Sequence, residues 1–196
     1  MLYIEIMKKL LLVFIGMLLM LSCNTPENKR QLSENMNHQM NWKSDLEQTI
    51  KIFGHRNWIV VADAAYPQQS NPAIETITVD ASQLETVAFV NQLIEDATHV
   101  DANIYLDKEL AFVPEKNAKG IGAYREALDQ ILTGKNVITM LHEDIIRELD
   151  ASAQLFNVLV IKTNLVIPYT SVFFQLECGY WNAEAEESLR KEMTLE

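Results

Sequence analysis

A single α/β layered domain, with helices flanking a mixed, mostly parallel sheet, is the fold this sequence predicts, and three observations predict it. Short apolar runs of strand length alternate with segments of helical periodicity from Trp42 to about Trp181, the pattern of helices layered on a sheet. That stretch is roughly 140 residues, the size of one domain. Near its end the runs "NVLVIKT" and "SVFFQLE" follow one another with no helix between them. A purely parallel sheet needs a crossover there, so the sheet should be mixed.

Each element has its own signal. "SDLEQTIKIFG" reads as a helix capped by Ser44 and stopped at Gly54. "WIVVA" is a short apolar strand, "PQQSNP" a loop and "IETITVD" an alternating, half-buried strand. In "SQLETVAFVNQLIEDA", Leu84, Val87, Val90 and Ile94 fall on one helical face. "ANIYL" returns to strand, "NAKGIGAYREALDQILTG" is a glycine-led helix, "NVITML" a strand and "HEDIIRELDASA" a helix before the two closing strands. Residues 183–196 read as an exposed C-terminal helix, which leaves 42–182 as the domain proper.

The segment ahead of the domain has a different character. Lys8 and Lys9 precede the apolar run Leu10 to Leu21, which ends at Ser22-Cys23. That run is short for a membrane span, which needs about 20 apolar residues, and has the length of a secretory h-region. Residues 1–22 are therefore expected to be a lipoprotein-type signal, with Cys23 acylated. Residues 23–41 are polar, the composition of a flexible tether. The expected location is extracytoplasmic, anchored to a membrane by lipid and facing the periplasm. Cys178, the second of two cysteines, then has no disulfide partner within the chain, and its apolar context should bury it.

The full sequence carries 27 acidic and 16 basic residues, a net charge of −11. That sign, without a basic patch, argues against a nucleic-acid partner.

Three residues could carry chemistry. Asp63 follows "WIVVA" and His142 follows "NVITML", both at the carboxyl ends of strands, where ligands bind in open α/β sheets. His142 opens a helix whose first turn holds Glu143 and Asp144; the helix end disfavours an imidazolium and the carboxylates favour it. Asp63 fits a turn residue equally well, and His142 a cap. His55 precedes "WIVVA" as Asp63 follows it. His99 and His38 sit in polar surroundings that should solvate them, and Tyr180 and Trp181 read as core or subunit-contact residues. "GIG" at Gly120 to Gly122 lacks the spacing of a dinucleotide loop, and no close ligand pair supports a metal set.

Taken together, "GHRNWIVVADAAYP" resembles the signature of the D-ribose pyranase and L-fucose mutarotase family, in which Gly-His-Thr-Asp leads through a strand into Asp-Ala-Gly-Leu-Pro. "LHEDI" is similar to the family's histidine and acidic residue at a helix start, and "VLVIKTNLVIPYTSVFFQLECGYW" to its closing strands around Pro-Tyr-Ala-Asn. The resemblance implies an isomerase that interconverts anomers or ring forms of a free, ribose- or fucose-like monosaccharide, without cofactor or metal. It implies His55, Asp63 and His142 as catalytic residues and Tyr169, Ser171 and Tyr66 as substrate contacts, with Ser171 standing where the family has Asn and Ala65-Tyr66 where it has Gly-Leu. It also implies a ring-like homo-oligomer, a decamer or similar. His55 and Asp63 are eight residues apart, up to about 26 Å along an extended strand, so His55 is expected to serve a neighbouring subunit's site. The competing expectation is a lipid-anchored sugar-binding or assembly protein of the same fold without turnover. A glycan hydrolase is disfavoured, since no carboxylate pair stands out.

Overall fold

The computed structural model describes residues 42–194. The expected signal, Cys23 and the tether lie outside the described residues. The fold described is that of the unit beginning at Ser44.

Helix α1 (42–52) leads into strand β1 (Trp58–Ala62), β2 (Ile74–Thr78), α2 (Gln83–Asp96) and β3 (Val100–Asp107). A 3-10 turn (Lys108–Phe112) and a loop connect β3 to α3 (Ile121–Ile131). There follow β4 (Val137–Met140), α4 (His142–Ser152), β5 (Val158–Lys162), β6 (Val172–Cys178) and α5 (Ala183–Met193). The six strands form one sheet in the order β2-β5-β1-β6-β3-β4. β1 pairs in parallel with β5, β5 with β2, and β3 with β4, whereas β6 runs antiparallel to both of its neighbours, β1 and β3. Five strands therefore point one way, and the single reversed strand lies inside the sheet. The mixed, mostly parallel sheet is the expected one.

Sequence explains the order of burial. Every residue of β1 is buried, as an unbroken apolar run covered on both faces requires. The edge strands β2 and β4 mix exposed residues with buried or half-buried ones, the polar dressing that edges need. On one face Trp58, Val60 and Ala62 of β1, Val158 and Val160 of β5 and Phe173 of β6 pack with Ile145 and Leu149 of α4 and with Ala153 at its C-terminal cap. α2 packs on β1, β3 and α3, burying Val87, Val90 and Ile94 as its periodicity predicts. Leu84 is only half-buried; Gln83 takes the buried position instead.

Four expectations are revised. Helix α1 already includes residue 42, so Ser44 lies inside it rather than capping it. His99 is not a solvated loop residue: its Nε2 lies 2.9 Å from the Ile50 carbonyl and 3.2 Å from that of Phe53, ending α1 where carbonyls need donors. Tyr180 and Trp181 are exposed rather than core, Trp181 donating to Glu186 at 2.9 Å. Cys178 is half-exposed. Helix α5 buries no residue, as its composition predicts. Among the described residues no helix is long and apolar enough to cross a membrane.

Candidate functional site

The reversal of β6 determines what meets at one edge of the sheet. The carboxyl ends of β1, β3, β4 and β5 lie beside the amino end of β6. Asp63 after β1, Asp107 closing β3, His142 after β4 and the segment Tyr169-Thr170-Ser171 before β6 thereby share that edge. The crevice outside strand ends is the ordinary ligand position in open α/β sheets.

His142 is the first residue of α4, with Leu141 at the cap position, so it is not itself a cap. Its backbone N–H donates to the Glu109 carboxylate, at 3.1 and 3.3 Å from the two oxygens. Its Nδ1 lies 3.0 Å from Asp107 Oδ1. The ring meets Tyr169 edge-on, centroids 6.0 Å apart at 79°, with Phe173 at 6.5 Å on another side. Its side chain remains 31% exposed, while that of Asp107 is fully enclosed. One imidazole nitrogen is thus tied inward and Nε2 is left for other partners.

Burial pushes the Asp107 carboxyl up to about 6, a rise that the hydrogen bond and charge of His142 oppose and the nearby carboxylates of Glu109 and Asp63 reinforce. Among the described residues the buried Asp107 Oδ2 has no hydrogen-bond partner, an unusual state for a carboxylate oxygen. Asp144, in the first turn of α4, pairs instead with Arg147. The carboxylate that engages His142 therefore comes from β3, 35 residues away in sequence.

Asp63 Oδ1 accepts the Ala65 N–H at 2.8 Å. The turn reading of this residue is correct, and it leaves the second carboxylate oxygen outside the turn. Tyr66 is only 5% exposed and belongs to the core cluster under α4, where burial pushes its phenol up to about 12, Gln69 opposing. It stands beneath the edge rather than open to it. Ser171 is buried at the start of β6. Tyr169 is 40% exposed and holds φ at 58°, the left-handed region that a bulky side chain rarely adopts.

That conformation is fixed from behind by a buried polar network. Thr163 donates to Gln83 Oε1 at 2.8 Å. Gln83 in turn donates to the Thr170 carbonyl, which also accepts from Tyr124 at 2.8 Å. Thr170 ties back to the Ile167 carbonyl at 2.8 Å. Gln83 is fully paired in the core, and the 163–171 connection is held at both ends. Neither this network nor Asp107 was singled out by sequence. For Asp107 a signal existed, since it ends a strand in the same way that Asp63 follows one.

His55 lies at the opposite edge of the sheet. Its Nδ1 is 2.8 Å from Glu177 Oε2, near the end of β6, and its side chain is 48% exposed. Arg56 Nε donates to its Nε2 at 3.1 Å. Within one chain the structure brings Asp63, His142, Tyr169 and Ser171 together and leaves His55 apart.

A cavity of about 390 Å³ opens beside the site, lined by Leu106, Asp107, Leu110, Phe112, Arg125 and Leu128 among others. Arg125 is occupied there by the carbonyls of Leu110 and Val113, at 3.0 and 3.1 Å. Neither His142 nor Tyr169 lines it, but Asp107 does, so it adjoins the site through that carboxylate.

Fold and site define an α/β protein with a histidine–carboxylate pair at the carboxyl edge of its sheet. The chain belongs to the RbsD / FucU transport protein family, whose model matches residues 36–179. It is similar in structure to Bacillus subtilis RbsD complexed with D-ribose, at 17% identity and a TM-score of 0.49, covering 71% of this chain and 94% of that one. It is similar also to the fucose mutarotase from Streptococcus pneumoniae in complex with L-fucose, at 23% identity and a TM-score of 0.47, covering 67% and 89%. FucU from Bifidobacterium longum matches at 14% identity and a TM-score of 0.46, covering 67% and 92%. No curated protein matches the chain.

Proposed function

We propose that the protein is a monosaccharide isomerase of the mutarotase or pyranase type, acting on a free ribose- or fucose-like sugar by ring opening and reclosure. The observation that carries this reading is the meeting of Asp63, His142, Tyr169 and Ser171 at one sheet edge in a chain of the RbsD / FucU family. Ring opening removes the anomeric hydroxyl proton, breaks the bond from the anomeric carbon to the ring oxygen and delivers a proton to that oxygen. Reclosure on the other face, or through another hydroxyl, reverses the steps. Histidine performs either transfer near neutral pH. His142 and Asp63 are the proposed proton-transfer groups, Tyr169 and Ser171 the groups that orient sugar hydroxyls, and Tyr66 a support beneath them. His55 completes the site from a neighbouring copy in a ring-like homo-oligomer. Lipid at Cys23 would hold the assembly at a membrane outside the cytoplasm; mass spectrometry of the N-terminal peptide from the native and Cys23→Ser chains tests that part.

The engagement of Asp63 Oδ1 by Ala65 favours a second reading, a sugar-binding protein without turnover. The two separate in one measurement. The full chain is mixed with ribose, fucose and other free sugars, and exchange between anomer and ring-form signals is followed by NMR. The isomerase accelerates exchange for at least one sugar and loses that acceleration in His142→Ala and Asp63→Asn. Binding with exchange no faster than buffer, for every sugar tried, leaves only the binding protein.

A further inference from the structure

We propose that Asp107 is a positioning residue that fixes the tautomer of His142, holding the hydrogen on Nδ1 and presenting a bare Nε2 to the sugar. The inference deepens the isomerase reading and rests on it for its catalytic part. Three observations carry it. Asp107 Oδ1 lies 3.0 Å from His142 Nδ1, and an ionised carboxylate can only accept, so that nitrogen must donate. The Asp107 side chain is fully enclosed, and its Oδ2 has no partner among the described residues. Of the neighbouring groups that act on this carboxyl, His142 favours its charged form, by hydrogen bond and charge, whereas Glu109 and Asp63 oppose it. The Glu109 carboxylate holds the backbone N–H of His142 at 3.1 Å, so the residue is gripped at main chain and ring by two carboxylates of one segment.

A free neutral imidazole carries its proton mostly on Nε2, so the pairing with Asp107 inverts the ordinary preference. A bare Nε2 is a base ready to take the anomeric hydroxyl proton, and once protonated it can return that proton to the ring oxygen. Burial sets the Asp107 carboxyl at about 6, with Glu109 and Asp63 raising it and His142 lowering it. At pH 7.5 it is therefore chiefly ionised and able to accept.

The test is the tautomer itself. The full chain is labelled with ¹⁵N-histidine, His142 is assigned by comparison with His142→Gln, and ring nitrogen shifts are read at pH 7.5. The expected wild-type pattern is a protonated Nδ1 and a bare Nε2. In Asp107→Ala, which offers no acceptor to Nδ1, the proton moves to Nε2, and kcat for sugar exchange falls about 100-fold with KM little changed, within the usual range of general acid–base catalysis. Loss of packing alone would not produce that nitrogen pattern. A wild-type His142 protonated on Nε2, or a tautomer unchanged in a folded Asp107→Ala chain, overturns the proposal; the wild-type spectrum decides it even where the variant does not fold. The expected tautomer in a chain that accelerates exchange of no sugar upholds the role of Asp107 while removing the isomerase reading.

Discussion

His55 and Asp63 stand at opposite ends of one buried strand. His55 is held at the amino end by Glu177 at 2.8 Å, and Asp63 at the carboxyl end by the Ala65 N–H at 2.8 Å. β1 between them is buried throughout, so no bending of the strand brings the two together. Under the proposed assembly each site takes Asp63 from one chain and His55 from another. His55→Ala and Asp63→Asn chains, each inactive alone, should then complement when co-assembled after mild dissociation. With equal amounts of each, about a quarter of the sites are intact and about a quarter of wild-type activity returns. Subunit-exchange kinetics read by sugar NMR check this; a mixture as inactive as its parts rejects the shared site.

Asp107 makes stability depend on pH in a defined direction. The folded carboxyl keeps its proton up to about 6, whereas its ordinary value is 3.8. Between those values the native state binds more protons than the unfolded one, so stability falls as pH rises through that window. Asp107→Asn imitates the protonated acid and lacks this slope. Its stability should match wild type near pH 3.5 and exceed it above about pH 6.5, by on the order of 1–3 kcal/mol. Urea unfolding across that range measures the difference.

Tyr169 trades stability for placement. Its φ of 58° is unfavourable for any bulky side chain, and strain of this kind gathers where a side chain must be aimed. Tyr169→Gly should be at least as stable as wild type, by up to about 1 kcal/mol, and should bind sugar more weakly. Tyr169→Phe keeps the strain and the ring beside His142 and loses only the hydroxyl. Thermal denaturation paired with sugar titration separates the two effects.

Gly179 is sterically required where β6 leaves the sheet. A Cβ there would lie 2.8 Å from the Val100 carbonyl oxygen and 2.9 Å from the Val100 backbone nitrogen, and backbone cannot step aside as a side chain can. Gly179→Ala should cost about 1–3 kcal/mol, whereas Gly54→Ala, with nothing within 4 Å, should stay within about 0.5 kcal/mol on this steric ground. Chemical denaturation of both variants distinguishes them.

The strands and helices were legible because each is specified locally. "WIVVA" cannot be other than buried, and Val87, Val90 and Ile94 mark the face of α2 before any partner is known. Asp63 and His142 were legible as candidates because strand ends are where ligands bind. The pairing of His142 with Asp107 was not, because it depends on β3 lying beside β4 with Asp107 opposite Met140, and local periodicity does not encode register. Gln83 was hidden for the same reason: its partners Thr163 and Thr170 arrive from the far end of the chain. His99 was misread because its polar sequence neighbours conceal the α1 carbonyls above it.

The single reversed strand has a further consequence. β6 begins next to Ser171, at one edge of the sheet, and reaches Glu177, the residue that grips His55, at the other. Seven residues of extended chain span about 20 Å. Under the proposed assembly, this strand would set the separation within each copy between the sugar-facing end and the histidine offered to a neighbour.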